Sequence, residues 1–331
     1  MAAAQRQTPK VSVLTLTYNQ ERFIEQCVRS VMMQQTTFPF ELVIGEDCST
    51  DDTRAVLLRL QAEFPDQIKL LLHERNLGLI SNTIASYNAC RGEYIAWLDG
   101  DDYWTSAHKL QWQVEYMEQH LDCRLCFHTA RVVNVDGQEI QVAGRATFKH
   151  EQKIEINSIL ARNDITTAAV MFRAVDGRLP AWFAQLRTVQ DWPLYFWLSL
   201  HDGYFCYLET EPMASYRLHA ESITHVMRDR GRTNTTNQQY EGRLLGSIAD
   251  TQLIARQLPH WQRRYLRPRF FQRYLALARL HIEQHQFSAS RGDCWHALRY
   301  LPINHDFQKN SLQLLKALTR ACLRLPPIQS T

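Results

Sequence analysis

One pattern occurs four times in the first hundred residues of this chain, and it constrains the fold more than any other feature. A short run of apolar and β-forming residues ends in a polar cluster. Val11-Ser12-Val13-Leu14-Thr15-Leu16 runs into Thr17-Tyr18-Asn19, and Glu41-Leu42-Val43-Ile44-Gly45 into Glu46-Asp47. Residues Ile68 to Leu72 lead to Glu74-Arg75-Asn76-Leu77-Gly78, and Tyr94 to Leu98 to Asp99-Gly100-Asp101-Asp102. Between the runs, Phe23, Ile24, Cys27, Val28, Val31 and Met32, then Val56, Leu57, Leu60 and Phe64, recur at helical spacing. A third helix is expected over Leu79 to Cys90. Strands alternating with such helices imply an α/β fold, a mostly parallel central sheet with helices on both faces.

Ligands of such a sheet bind just beyond the carboxyl ends of its strands. All four polar clusters fall on that edge, which makes it the candidate site. The loop after the first run has no G-x-G-x-x-G, so a dinucleotide-binding Rossmann domain is disfavoured. Within the site, WLDGDDYW (residues 97–104) is the most informative stretch. Asp99, Asp101 and Asp102 would repel one another unless something positive sits among them. A divalent cation with oxygen ligands, also holding substrate phosphates, is one solution. A turn whose aspartates cap Gly100 and a following helix is the other.

The 331 residues, 45% of them hydrophobic, suffice for one large domain plus an appendage or for two domains. Charge is unevenly spread. From Arg256 onward there are 13 Lys/Arg against 3 Asp/Glu, a net of +10, while the rest carries 24 against 31, a net of −7. A basic tail on an acidic body suits an anionic partner, a membrane surface or a polyphosphate, or else a solvated helical surface. Eight cysteines are scattered, and only Cys123 and Cys126 form a CxxC spacing. No second pair completes a zinc site, so core packing in a reducing, cytoplasmic compartment is expected. MAAAQRQTPK lacks the apolar core of a signal peptide, and no 18-residue apolar run spans a membrane.

Beyond Lys109 the alternation breaks down. Strands are expected at Cys123 to His128, Ala130 to Val135, Thr166 to Phe172, Tyr204 to Leu208 and Met213 to Leu218, with Asp136-Gly137 as a hairpin turn. Short helices are expected at Asn157 to Arg162 and Asp191 to Leu200, and residues 139–153, including Gly144-Arg145-Ala146, as a loop over the site. From about residue 232 the chain reads as helical and basic. Gln262 to Gln284 interleaves six arginines with aromatic and leucine residues. That mixture suits a membrane-surface helix, or a helical subdomain with an aromatic inner face. No zinc-finger or RNA-recognition signature accompanies the basic tail, which argues against nucleic acid.

With four clusters in order, the chain resembles the family 2 glycosyltransferases of the type A nucleotide-sugar fold. VSVLTLTYNQERFIEQCVRSVMMQ is similar to that family's opening strand, loop and helix. GEDCSTDDT resembles its second-strand acidic motif, HERNLGL its Arg-Asn-x-Gly loop, and LDGDDYW its Asp-x-Asp metal motif. The resemblance covers roughly residues 10 to 225. It implies that Asp47 accepts a hydrogen bond from the nucleotide base, with Thr15 and Tyr18 lining the base and ribose pocket. Glu46 stands where aspartate is commoner, and Arg75 would sit near the base or diphosphate. Asp99 would contact ribose or metal, and Asp101 would bridge Mn²⁺ or Mg²⁺ to the diphosphate. Val189-Gln190-Asp191-Trp192 resembles the later acidic motif whose aspartate is the general base, and Ser215-Tyr216-Arg217-Leu218-His219 a closing segment whose His219 would ligate the metal. Helix capping by Asp47, Asp102 or Asp191 and a purely structural His219 remain open alternatives.

The implied activity is inverting, metal-dependent transfer of a sugar from a nucleotide diphosphate, most readily UDP, to a glycan or lipid-linked acceptor. The expected organisation is a disordered stretch 1–9, a catalytic domain 10–228 (nucleotide half 10–104, acceptor half 105–228) and a basic helical region 232–331. Residues 256–324 are the candidate contact with an anionic membrane surface, which would make the protein peripheral at the inner leaflet. The other class of function is a non-catalytic nucleotide-sugar or glycan binding module, which predicts loss of Asp101 or Asp191, and both are present. The sequence leaves the oligomeric state undetermined.

Overall fold

A computed structural model describes residues 8–143, 150–161, 163–175, 178–188, 191–219, 236–301 and 307–323. Residues 1–7 of the expected disordered terminus, the Gly144-Arg145-Ala146 segment, Val189-Gln190 of the later acidic motif and residues 220–235 lie outside these. The chain divides into two compact units. The first comprises Met1–Ile156, Asp164–Ala184 and Gln190–His219; the second comprises Asn157–Asn163, Gln185–Val189 and Ala220–Thr331.

In the first unit, β1 (Val11–Thr17), β2 (Phe40–Glu46), β3 (Ile68–Leu72) and β4 (Tyr94–Trp97) lie parallel in the order β3-β2-β1-β4. Helices α1 (Ile24–Met32), α2 (Thr53–Glu63) and α3 (Leu79–Ala89) connect them. All of β1 is buried, which is why it reads as an unbroken run of β-formers rather than an alternation. Val13, Ile24, Val28, Leu42, Ile44 and Leu57 belong to one core cluster. Burial of this cluster, not helix propensity, holds α1 and α2 in place. A Cβ on Gly45 would run into Asn82 and Ser86 of α3, and Asn82 Nδ2 donates to the Gly45 carbonyl (2.9 Å). Only glycine lets that helix approach so closely.

The large sheet continues through β10 (Val170–Arg173), β6 (Cys123–Phe127), β11 (Tyr204–Tyr207) and β9 (Gln152–Ile154). Strand β10 is antiparallel to both β4 and β6. A second sheet has the order β5 (Tyr103–Trp104), β12 (Ala214–Arg217), β7 (Ala130–Val133), β8 (Glu139–Ala143). Gly137 (φ 81°) makes the turn of the β7–β8 hairpin. Pairing of Ser215 with Tyr103 brings the end of β12 beside Asp101 and Asp102. Helices α4 (Lys109–Gln119) and α6 (Asp191–Leu198) complete the unit. Cys123, Cys126 and Cys206 are buried free thiols, and burial pushes each above the ordinary thiol range.

Two expectations are corrected. Residues 139–153, read as a loop, contain strand β8, paired with β7, and the start of β9, paired with β11. The strand expected over Thr166 to Phe172 begins only at Val170, after a 3-10 turn, Thr167–Ala169. Trp104 Nε1 and Gln113 Nε2 take the carbonyls of Ala168 (2.9 Å) and Ala169 (3.1 Å), groups a longer strand would give to its neighbours. The stretch Gln262 to Gln284, read as a membrane-surface helix or a helical subdomain, is a 3-10 segment, His260–Leu266, followed by an α-helix that starts at Arg267 with Pro268 in its first turn. Proline is tolerated there because a first-turn N–H has no intrahelical partner.

The second unit contains α5 (Ile156–Ala161) from Asn157 onward, α7 (Asn237–Gln257), α8 (Arg267–Glu283), α9 (Phe287–Arg299) and α10 (Phe307–Leu323). Thr236 and Gln239 form a reciprocal capping box at the start of α7. Phe271, Leu275 and Ala278 pack against Cys294, Ala297, Leu314 and Ala321 in one core. Arg269 donates to the carbonyls of Ile159 and Leu160, and Arg273 to Ser247 Oγ. Two arginines of the basic stripe therefore act inside this unit. No described helix is long and apolar enough to cross a membrane.

Candidate active site

The loops leaving β1 and β2 are laced together by polar groups. Asn19 N donates to Ser49 Oγ (3.0 Å), and Thr50 N returns a bond to Asn19 Oδ1 (2.8 Å). Gln20 N donates to Thr53 Oγ1 (2.8 Å), Glu21 N to Asp51 Oδ2 (3.1 Å), and Asp52 N to Glu21 Oε2 (2.9 Å). Asn19 and Cys48 adopt positive φ to permit this. The lacing fixes Tyr18, 44% exposed, at the lip of the sheet edge, while Thr15 is wholly buried within β1.

Glu46 is wholly buried, accepts from Ser49 N and is ion-paired with Arg54. Both oxygens of Asp47 accept backbone N–H groups, from Leu77 (2.7 Å) and Gly78 (2.9 Å). Asp47 thus caps no helix of its own; it ties the β2 loop to the loop before α3. Gly78 makes that loop with φ 80°, a conformation that favours glycine. Arg75 is exposed and lines an open cleft with Leu72, His73, Glu74 and Leu77.

The third and fourth acidic groups sit deeper. Trp97 Nε1 donates to Asp99 Oδ1 (2.9 Å). Burial pushes the Asp99 carboxyl from 3.8 up to about 7; Asp101 and Asp191 add to the rise and Trp97 opposes it. Asp102 is 1% exposed, and burial, Asp101 and Asp99 raise it well above the usual carboxylate range. Its Oδ1 accepts from Arg217 N (2.8 Å), and its Oδ2 has no hydrogen-bond partner among the described residues. Asp102 does not cap a helix, because β5 follows it and α4 starts only at Lys109.

Asp101 Oδ2 lies 2.8 Å from His219 Nε2, although the two residues are 118 apart in sequence. Arg217 sets this meeting. Its Nε donates to the Asp101 carbonyl (2.9 Å), Nη1 to the Val135 carbonyl (3.0 Å) and Nη2 to Gln26 Oε1 (2.6 Å). Its guanidinium lies over the Phe23 ring (4.7 Å). Asp191 opens α6, within electrostatic reach of Asp99, and Tyr195 one turn on feels both carboxylates.

The structure therefore gathers Asp99, Asp101, His219 and Asp191, leaves Arg75 on the cleft beside the β3 end, and uses Glu46 inside its own loop. Trp97 and Arg217 escape a reading of the sequence as site residues. The only signal for Arg217 was its place two residues before His219.

The acidic cluster can be tested as a cation site by its donors. A carboxylate oxygen and an imidazole nitrogen converge, and two neighbouring carboxyls are raised first by burial and then by the negative charge of the aspartates beside them. Oxygen and nitrogen donors suit Mn²⁺ or Mg²⁺. No group of three or more His, Cys, Asp or Glu among the described residues forms a complete cage.

A carboxyl raised on folding costs stability above its unfolded pKa, fully so above its folded one. Asp99→Asn is expected to stabilise the ligand-free protein at pH 8 by about 1–3 kcal/mol, the gain shrinking as pH falls from about 7 toward 4. Denaturant unfolding at both ends of that range checks it; a gain independent of pH would contradict it.

The sequence profile of Glycosyl transferase family 2 matches residues 12–179. An uncharacterized Mycobacterium tuberculosis protein, Rv1520, is 33% identical over 215 residues, 65% of this chain, which spans 60% of that relative's length. The putative teichuronic acid biosynthesis glycosyltransferase TuaG of Bacillus subtilis is 32% identical over 65% of this chain and 82% of its own. The Escherichia coli UDP-Glc:alpha-D-GlcNAc-diphosphoundecaprenol beta-1,3-glucosyltransferase WfgD is 29% identical over 65% of this chain and 79% of its own. Among solved structures, S. aureus TarS 1-349 in complex with UDP-GlcNAc superposes with a TM-score of 0.62 at 16% identity, covering 94% of this chain and 90% of that one. That likeness shows a shared fold.

Proposed function

The chain belongs to glycosyl transferase family 2, and from that premise we propose that it is an inverting, divalent-metal-dependent transferase acting from a nucleoside diphosphate sugar, UDP-linked in the first instance. The acceptor is a hydroxyl of a glycan or lipid-linked glycan in surface-polysaccharide synthesis. The observation that carries this is the convergence of Asp101 and His219 at the carboxyl edge of the sheet, with Asp99 beside them and Asp191 within electrostatic reach. TuaG, named for teichuronic acid biosynthesis, and WfgD, named for a diphosphoundecaprenol-linked acceptor, support the acceptor class, and TarS with UDP-GlcNAc supports the donor class.

Each role follows from chemistry the residues can perform. Asp47 accepts the imide N–H of uracil; both its oxygens already hold a backbone N–H and each keeps a further lone pair. Tyr18 offers its exposed ring to the base, Thr15 backs the base and ribose pocket from within β1, and Glu46 acts by holding the loop in place. Arg75 approaches the diphosphate from its cleft. Asp101 and His219 would hold Mn²⁺ or Mg²⁺, with Asp99 toward the ribose or metal. When bound, the cation offsets the charge growing on the departing nucleoside diphosphate. Asp191 takes the proton from the acceptor hydroxyl as that oxygen attacks the anomeric carbon from the face opposite the leaving group. Residues 10–228 would carry catalysis, 10–104 on the nucleotide side and 105–228 on the acceptor side, with 232–331 as the basic helical region.

Inversion is testable without knowing the acceptor. Water is the slow substitute nucleophile in UDP-sugar hydrolysis, and proton NMR early in the reaction reads the configuration of the released sugar. An α-linked donor is expected to release the β-anomer first; initial α-anomer would contradict the single-displacement mechanism.

A further inference from the structure

We propose that the α9–α10 pair of the second unit is a docking surface for an anionic lipid bilayer. This deepens the proposed function by assigning the membrane contact to one surface. The stretch the sequence singles out most strongly, Gln262 to Gln284, is not that surface. Its Phe270 and Phe271 are buried, Arg269 and Arg273 bond within the unit, and the outward positions of α8 are Gln272, Arg279 and Glu283. Helix α7 likewise turns Gln252, Arg256 and Gln257 outward, with Leu245 as its exposed apolar side chain.

Helix α10 differs. Leu314, Ala317 and Ala321 face the core, while Leu312, Leu315 and Leu323 are 52%, 60% and 62% exposed. Positions 312, 315, 319 and 323 are spaced by three or four residues and form one stripe along the helix, with Lys316 and Thr319 also exposed on it. Helix α9 repeats the arrangement. Ser290, Cys294 and Ala297 are buried, and Trp295 (63% exposed) and Leu298 (41%) point out beside exposed Arg299. Bulky apolar side chains with a tryptophan, interspersed with cations, are the composition of a helix lying in a lipid interface.

Charge selects the occupant. Helices α9 and α10 carry Arg291, Arg299, Lys309, Lys316 and Arg320 against the carboxylate of Asp293, which is bonded to His281 (2.6 Å). A second copy of such a surface would be repelled, whereas a leaflet of acidic lipids would attract it. Trp295 and the leucines would then enter the headgroup region with Arg299 and Lys316 at the phosphates.

The test is co-sedimentation of the full chain with phosphatidylcholine vesicles, with and without phosphatidylglycerol. The wild type is expected to bind the mixed vesicles and not the pure phosphatidylcholine ones. Leu312→Ser with Leu315→Ser should weaken binding by about tenfold or more, and Arg299→Glu with Lys316→Glu should do so at low salt. Equal binding to both vesicle types, or unchanged binding by both double variants, would overturn the proposal. So would a wild-type dimer in sedimentation velocity that the serine pair dissociates. Metal-dependent UDP binding of the same samples separates the two readings. UDP binding without vesicle binding removes the docking surface and leaves the transferase; vesicle binding without UDP binding does the reverse.

Discussion

Asp191→Asn is expected to lower turnover by about 100-fold or more while changing donor affinity by no more than about twofold. Asparagine keeps the shape of the side chain at the start of α6 but cannot accept a proton. The lost charge at the helix N-terminus costs only about 0.3–1 kcal/mol, so the fold should persist. Donor affinity should hold because Asp191 is assigned to the acceptor proton, and removing its charge beside Asp99 lessens repulsion. Turnover within a few-fold of wild type would show that another group, or water, takes the proton.

Asp101→Ala is expected to abolish the metal-dependent part of nucleotide binding, a loss of at least about tenfold in affinity when Mn²⁺ is present. The substitution removes the carboxylate that meets His219 but not the Asp101 carbonyl, through which Arg217 holds this turn. The backbone should therefore stay in place, and the effect should report a lost ligand rather than a displaced loop. Equal UDP affinity of variant and wild type in Mn²⁺ would remove Asp101 from the metal site. Measuring UDP affinity without metal for both proteins separates this from general damage, since those two values should agree.

What could be read from the sequence follows from which interactions are local. Strands β1, β2 and β4 and the helices around them announce themselves, because a strand buried on both faces must be a continuous run and each helix must present one apolar stripe; β3, at the sheet edge and only partly buried, is legible from its isoleucine and leucines alone. The polar clusters at their ends were visible for the same reason. Strand β5, two residues long, exists because β12 pairs with it from residues 214–215, and nothing near Tyr103 signals that partner. The same pairing explains why Asp102 serves Arg217 rather than a helix. Trp97 reads as one more core residue of β4; that its indole N–H turns to Asp99 is a consequence of packing. Asp47 was found by motif, but its hold on Leu77 and Gly78 depends on the Gly78 backbone and had no pattern of its own. In the second unit, the density of arginine and aromatic residues drew attention to α8, whereas the exposed apolar faces belong to α9 and α10. Composition records how many such residues a segment has, and only the packed helices decide which way they face.

The most direct test of the metal-assisted nucleotide site is calorimetric titration of the purified protein with UDP, dTDP and GDP, each with and without Mn²⁺. Asp47 against an imide N–H and the Asp101–His219 pair against a cation predict binding of UDP or dTDP that is tight only with Mn²⁺, and weaker binding of GDP. No binding of any of the three in either condition would contradict the transferase reading, and tight binding indifferent to Mn²⁺ would contradict the metal site.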